Sequence, residues 1–165
     1  MWFVHKGVIL TKDNLARRGW AGSKRCCFCD QDETIQHLFL KCPMAKVLWR
    51  SLQVTFDVSP PHNVDHLFGD WLSGVDSNTA AHIRVGVCAL LWALWLCRND
   101  VAFNRSNISN FFQVIFRTSG LIRMWSLLNT AEAKELLDTG CSRWETVARV
   151  TFNRFGWRSN NRIGA

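Results

Sequence analysis

The sequence predicts a small all-α domain that carries a compact Cys- and His-rich subregion near its N-terminus. Hydrophobic residues make up 48% of the 165 positions, which is enough for one folded core. Only 3 Pro and 10 Gly are present, and this composition favours long helices over a sandwich of short strands and turns. Three of the 7 Cys lie between positions 26 and 29.

Short helices are predicted on both sides of the Cys cluster. The first covers residues 12–18, and the cluster follows it in a polar, turn-rich stretch. Asp30 and Glu33 have the spacing of a capping box, so a second helix is expected after them. Pro43 suits the first position of a third helix. The expected apolar faces contain Ile35, Leu38 and Phe39 in the second helix and Met44, Val47, Leu48 and Leu52 in the third.

Four further helices are predicted in the remaining chain. Ser77 or Asn78 is expected to cap the longest of them, and Ser142 with Glu145 forms a capping box that would open the last. The predicted ranges are 64–72, 79–103, 109–128 and 142–155.

The longest helix is apolar on all sides between residues 85 and 97, which is typical of a buried central helix. Trp92 and Trp95 are therefore expected in the core. The uncharged run is shorter than the roughly 20 residues that a membrane-spanning helix needs, so no membrane segment is expected. The predicted organisation is a metal-binding region over 1–55, a continuous helical region over 56–155, and a basic flexible tail over 156–165.

The charge and the Cys usage indicate an intracellular protein with polyanionic partners. Lys and Arg exceed Asp and Glu by 20 to 13, which gives a net charge of +7 and a pI near 9.4. Such an excess favours RNA or DNA as a partner. The Cys are odd in number and clustered, and no apolar signal segment develops at the N-terminus, which argues against secretion. We expect a nuclear or cytoplasmic location.

One motif carries metal-binding chemistry. Cys26, Cys29, His37 and Cys42 have the spacing C-x2-C-x7-H-x4-C, and thiolate with imidazole is the usual donor set for one intracellular Zn²⁺. On a continuous α-helix His37 and Cys42 would lie about 140° apart. They can share an ion only if the helix ends between them, and Pro43 favours this because it disfavours the α conformation at Cys42.

Two alternatives to this ligand set remain open. Cys27 competes for the metal, but its single-residue gap to Cys29 is too short for the usual turn, so we interpret it as a bystander. The four residues could also be buried thiols and a surface His. If all four bind zinc, the coordination is closed and the metal is structural rather than catalytic.

No enzyme motif is found in the sequence. It lacks a glycine-rich phosphate loop, a G-x-S-x-G elbow, an H-E-x-x-H helix and an Asp-Asp pair. We therefore expect no catalytic residue, no small-molecule substrate and no stand-alone enzyme.

The motif and its flanks resemble the zinc-binding domain of reverse transcriptases from plant non-LTR retrotransposons. The resemblance rests on Cys26-Cys-Phe-Cys29, Glu33-Thr34, His37-Leu-Phe, Cys42-Pro43 and Trp49 in the motif, on the segments 2–7 and 11–19 before it, and on Leu91-Trp92-Ala-Leu-Trp95 with Arg98-Asn99 and Phe103 after it. It covers roughly residues 1–50 and 85–105. It implies a domain that lies C-terminal to a polymerase, so that this chain is an isolated fragment without the polymerase.

The resemblance also implies a role in holding RNA or DNA, with retroelement polymerase regions as further partners. Lys24 and Arg25 precede the first ligand and would either contact nucleic acid or form a solvated face. Trp20 and Phe28 flank the ligand and would either stack on bases or pack under the zinc loop. The tail adds Arg154, Arg158 and Arg162. The alternatives are a helical protein-interaction scaffold and a relic of such an element without a retained function.

Overall fold

The computed structural model describes residues 1–105 and 110–155, and these residues form helices with no β-strand among them. The all-α fold class is therefore confirmed. The helices are α1 (Trp2–His5), α2 (Lys12–Arg17), α3 (Pro43–Phe56), α4 (Val64–Phe68), α5 (Ser77–Ala102), α6 (Phe111–Ser126) and α7 (Ala131–Phe155), with a π-helical turn at His37–Lys41 before α3. The predicted basic tail over 156–165, with Arg158 and Arg162, lies outside the described residues.

Two predicted helix starts differ from the structure because other side chains cap the helices. Asp76, rather than Ser77 or Asn78, caps α5 by accepting the Thr79 backbone N–H at 3.0 Å. The last helix begins at Ala131, eleven positions before the predicted capping box at Ser142. Ser142 lies inside α7 and donates its hydroxyl to the Asp138 carbonyl at 3.0 Å, so its capping chemistry is not used.

The core lies where α3, α5, α6 and α7 pack together beneath the N-terminal region. Trp144 of α7 is 2% exposed and donates its indole N–H to the Ser51 hydroxyl of α3 at 2.8 Å. On α5 the fully buried positions include Leu90, Leu91 and Leu94. The prediction that Trp92 lies in the core is wrong, because its side chain is 39% exposed. Trp95 is half-buried and packs at the edge of the core.

By length and composition α5 could cross a membrane, and it is the one helix in the described part of the chain that could. Its apolar character is accounted for by the core, because its leucines pack against α6, α7 and the π-helical turn. A buried ion pair near its C-terminal end adds a second reason why it belongs to a folded core. This helix therefore gives only weak evidence for a membrane protein.

That ion pair joins α5 to the N-terminal region. Arg98 of α5 donates to both carboxylate oxygens of Glu33 at 2.7 to 3.1 Å, and both side chains are buried. Glu33 also accepts the Lys12 backbone N–H at 3.0 Å. The predicted capping role of Glu33 is thus wrong, because its carboxylate faces the core. The predicted division at residue 55 stays a prediction, although this contact crosses it.

Replacing Arg98 with Ala should lower the free energy of unfolding by about 3–5 kcal/mol, because it leaves the Glu33 carboxylate buried without its cation. Arg117 provides the matched control, since its ion pair with Asp100 is partly exposed. Arg117→Ala should cost less than about 1 kcal/mol. Urea unfolding of the two variants measures both values, and equal small losses would show that the buried pair does not hold the two regions together.

Candidate metal centre

A small hairpin-like loop positions the first two Cys. The Cys26 N–H donates to the Gln31 carbonyl at 2.7 Å and the Glu33 N–H donates to the Lys24 carbonyl at 2.8 Å. These two bonds close a turn in which Arg25 and Asp32 form an isolated antiparallel bridge. Inside the turn the Phe28 N–H donates to the Cys26 sulfur at 3.4 Å, a contact that stabilises negative charge on that sulfur. The turn therefore presents both Cys side chains on its inner side.

The other two side chains are brought together by the π-helical turn. The Thr34 hydroxyl accepts the His37 N–H at 3.0 Å and so caps the start of this segment. The Cys42 N–H then donates to the His37 carbonyl at 2.7 Å, an i to i+5 bond that connects the two candidate ligands directly. Cys42 itself has extended backbone angles, φ −57° and ψ 140°, and Pro43 begins α3 after it.

The structure therefore ends the helix between His37 and Cys42, as the sequence predicts, and it also widens the last turn before that end. Widened turns of this kind are rare and are frequently found at functional sites. Sequence reasoning missed the π-helical turn because its only local signal is the ligand spacing itself.

The four candidate ligand atoms lie within 4.8 Å of one another. The Cys42 sulfur is 3.9 Å from the Cys26 sulfur and 4.0 Å from the Cys29 sulfur, and the Cys29 sulfur is 3.1 Å from His37 Nε2. Zinc–sulfur bonds of about 2.3 Å at tetrahedral angles place two sulfurs about 3.8 Å apart. The sulfur spacing thus fits one tetrahedral Zn²⁺.

The surroundings of the thiols favour a bound cation. The hydrogen bond to Cys42 and then burial raise the pKa of the Cys26 thiol well above its usual range, and burial raises the pKa of Cys29. Without a cation these thiols would remain protonated at neutral pH. A divalent ion changes this balance because it binds the thiolate form and displaces the protons.

The other predicted site residues near the cluster differ in exposure. Cys27 is not among the four clustered side chains, and burial raises its pKa. Lys24, Arg25 and Trp20 are exposed in the segment that leads into the cluster, with Arg25 only 3.8 Å from Asp30 in a loose surface ion pair. Phe28 is 3% exposed and packs into the core under the turn. Its burial favours the packing alternative over stacking on bases, and nucleic-acid contact by the other three residues stays a prediction.

The remaining Cys residues lie apart from the cluster. Cys97 and Cys141 are buried in the helical core, and Cys88 is half-buried on α5. The rings of His62 and His66 stack at 4.9 Å, and the His66 Nδ1 accepts the His62 backbone N–H. Among the described residues, the Cys3His cluster is the one group with the donor set and spacing of a metal site.

Residues 1–49 match the family model for zinc binding in reverse transcriptase. The matched segment contains all four clustered residues and ends within α3. The family that this model describes is a zinc-binding module rather than the catalytic polymerase. No curated protein and no solved structure has a significant match to the chain. The family match and the geometry of the cluster together support one structural zinc ion.

Replacing Cys42 with Ser should abolish stoichiometric zinc binding, because it removes one of the four candidate donors. The Cys42 sulfur lies 3.9 Å from the Cys26 sulfur and 4.0 Å from the Cys29 sulfur. Cys27→Ser is the matched control and should retain one zinc per chain. Elemental analysis of protein purified under reducing, zinc-replete conditions measures both. The reverse pattern, with zinc lost from Cys27→Ser and kept in Cys42→Ser, would overturn the ligand set.

Proposed function

We propose that this chain is a non-catalytic nucleic-acid-binding module whose fold is held by zinc at Cys26, Cys29, His37 and Cys42. The observation that carries the proposal is the set of exposed basic side chains in the segment that leads into the cluster. Arg18, Lys24 and Arg25 are exposed, Arg17 is partly exposed with most of its side chain in solvent, and Trp20, which lies between them in the chain, is 41% exposed. Cationic side chains with an aromatic ring among them are the usual surface for binding single strands.

Two of these cations line the same cleft. Arg17 of α2 and Lys24 of the hairpin turn border a cavity of about 360 Å³. The carboxylates of Asp13, Asp32 and Glu33 border it as well, and their negative charge offsets that of the two cations. We therefore expect weak binding that depends on phosphate contacts and discriminates little between sequences.

The zinc ion itself would take no part in chemistry. Four protein donors fill a tetrahedral coordination sphere and leave no position for a reactive water. The residues that hold the ion would instead fix the hairpin turn, and with it the positions of Lys24 and Arg25. A reducing, intracellular location follows from the same chemistry, because the thiols must stay free to bind the metal.

Binding of single-stranded RNA should weaken steeply with salt. Three to five phosphate contacts would give a slope of log K against log salt of about −2 to −3.5. Lys24→Glu with Arg25→Glu should weaken binding and make the slope shallower by about 1.4, since two contacts are removed. Zinc content should not change. Fluorescence anisotropy at several salt concentrations measures both quantities.

The control variant carries the same charge change elsewhere. Arg84 on α5 and Arg143 on α7 are exposed helix positions, and Arg84→Glu with Arg143→Glu should leave the slope almost unchanged. An equal loss in both double variants would mean that net charge alone, and no site near the cluster, attracts the RNA.

A second candidate function is a protein-interaction scaffold. Trp2 and Phe3 of α1 are 62% and 60% exposed and contact each other edge to face. Large exposed aromatic side chains of this kind are typical of protein interfaces. Complete absence of RNA and DNA binding at low salt would exclude the nucleic-acid function and favour this one.

A further inference from the structure

A cavity of about 310 Å³ lies in the helical region, away from the metal cluster. Residues of α3, α5, α6 and α7 form its walls, together with Val58 and Trp71 from the segments that follow α3 and α4. Its volume is at the lower end of the range of about 300–1,000 Å³ that small-molecule sites occupy. It is partly open to solvent, so a ligand could enter without unfolding the helices.

Outside the first turns of α5, the walls of the cavity are apolar and offer no spare hydrogen-bonding group. Three tryptophans line it, and each indole N–H is already engaged: Trp49 donates to the Phe39 carbonyl at 2.8 Å, Trp71 to the Ser59 carbonyl at 2.7 Å and Trp144 to the Ser51 hydroxyl at 2.8 Å. The lining contains no Lys, Arg, Asp or Glu. Such walls favour uncharged, apolar ligands because a buried charge would have no partner.

The polar groups are confined to one place. Asn78, Thr79 and His82 lie on the first turns of α5 and contribute the amide, hydroxyl and imidazole of the lining. A site with an apolar body and a few convergent polar groups at one end is the usual form of a specific small-molecule pocket.

Two glycines provide an independent observation. Gly86 of α5 and Gly140 of α7 both line the cavity from inside long helices. Apart from Pro, glycine is the least favourable residue in a helix. Neither position requires it sterically: an added Cβ would lie 3.9 Å from Ile122 at position 86 and 3.6 Å from Phe56 at position 140. What the two positions share is the cavity, and the missing side chains keep its volume open.

We propose that this cavity is a binding site for an uncharged, predominantly apolar small molecule that carries one hydrogen-bonding group. The apolar body would lie against the faces of the three tryptophans, and the polar group would face Thr79 and His82. The molecule is a bound ligand and not a substrate. This site does not depend on the nucleic-acid function proposed above.

Calorimetric titration of the zinc-loaded full chain with indole, 2-naphthol and 1-octanol tests the proposal, since these probes share an apolar body and one polar group. At least one of them should bind with one site per chain. The anion 2-naphthoate should bind at least about tenfold more weakly than 2-naphthol at pH 8, because its carboxylate would lose solvation without gaining a cation.

Gly140→Leu should weaken probe binding by at least about tenfold by filling the cavity. Gly120→Leu is the matched control, because Gly120 is also inside a helix but faces open space, and it should bind as the parent does. Gly86→Leu gives the same test from the facing helix if Gly140→Leu does not fold. Nuclear Overhauser contacts from bound 2-naphthol to the methyl groups of Ile83, Val87 and Leu137 locate the site in the parent chain.

Three results would each overturn the proposal. The first is no binding of any of the three probes up to their solubility limits. The second is binding that Gly140→Leu and Gly86→Leu leave unchanged, or that gives no contacts to those methyl groups. The third is binding of 2-naphthoate as tight as that of 2-naphthol.

Discussion

Three thiols and one imidazole converge within 4.8 Å at the N-terminal end of the fold, and a divalent cation is what makes this arrangement stable. In the absence of a cation, the contact with Cys42 and burial disfavour the thiolate form of Cys26, and burial disfavours that of Cys29. Zinc removes this penalty by binding the thiolates, so the free energy of metal binding becomes free energy of folding. The hairpin turn, the π-helical turn and the start of α3 all meet at this point.

The direction of α3 follows from the metal cluster, and the helical core follows from α3. Cys42 is followed directly by Pro43, the first residue of the helix, and the next positions bring Leu48 and Trp49 into the core. The Glu33–Arg98 pair then joins the turn to α5 from the other side. Residues 1–49 match a zinc-binding family. The side chains of this segment also form one core with residues of α5, α6 and α7.

Local chemistry made part of this structure predictable. The metal-ligand spacing, the effect of Pro43 on Cys42 and the continuous apolar run of α5 depend on residues close together in the chain. The ligand cluster and the all-α class follow from them. The exposure of Trp92 and the burial of Phe28 depend on which face of an element meets the core. The pairing of Glu33 with Arg98 spans 65 positions, and no local pattern reports it.

The capping error at Ser142 has a physical cause in long-range packing. A Ser–x–x–Glu sequence lowers the free energy of a helix start, but it does not create one inside a helix that packing already extends. At Ser142 the helix continues because Leu137 and Cys141 are buried on its inner face, and the contribution of a cap is only about 1 kcal/mol. Long-range packing therefore decides the ends of α7, whereas short-range geometry decides the ends of the metal-binding segment.

X-ray absorption at the zinc edge of the purified, reduced protein tests the central claim most directly. The account predicts a four-coordinate shell with three sulfurs at about 2.3 Å and one nitrogen at about 2.0–2.1 Å. A shell with oxygen donors, with two or fewer sulfurs, or with six light-atom ligands would contradict it.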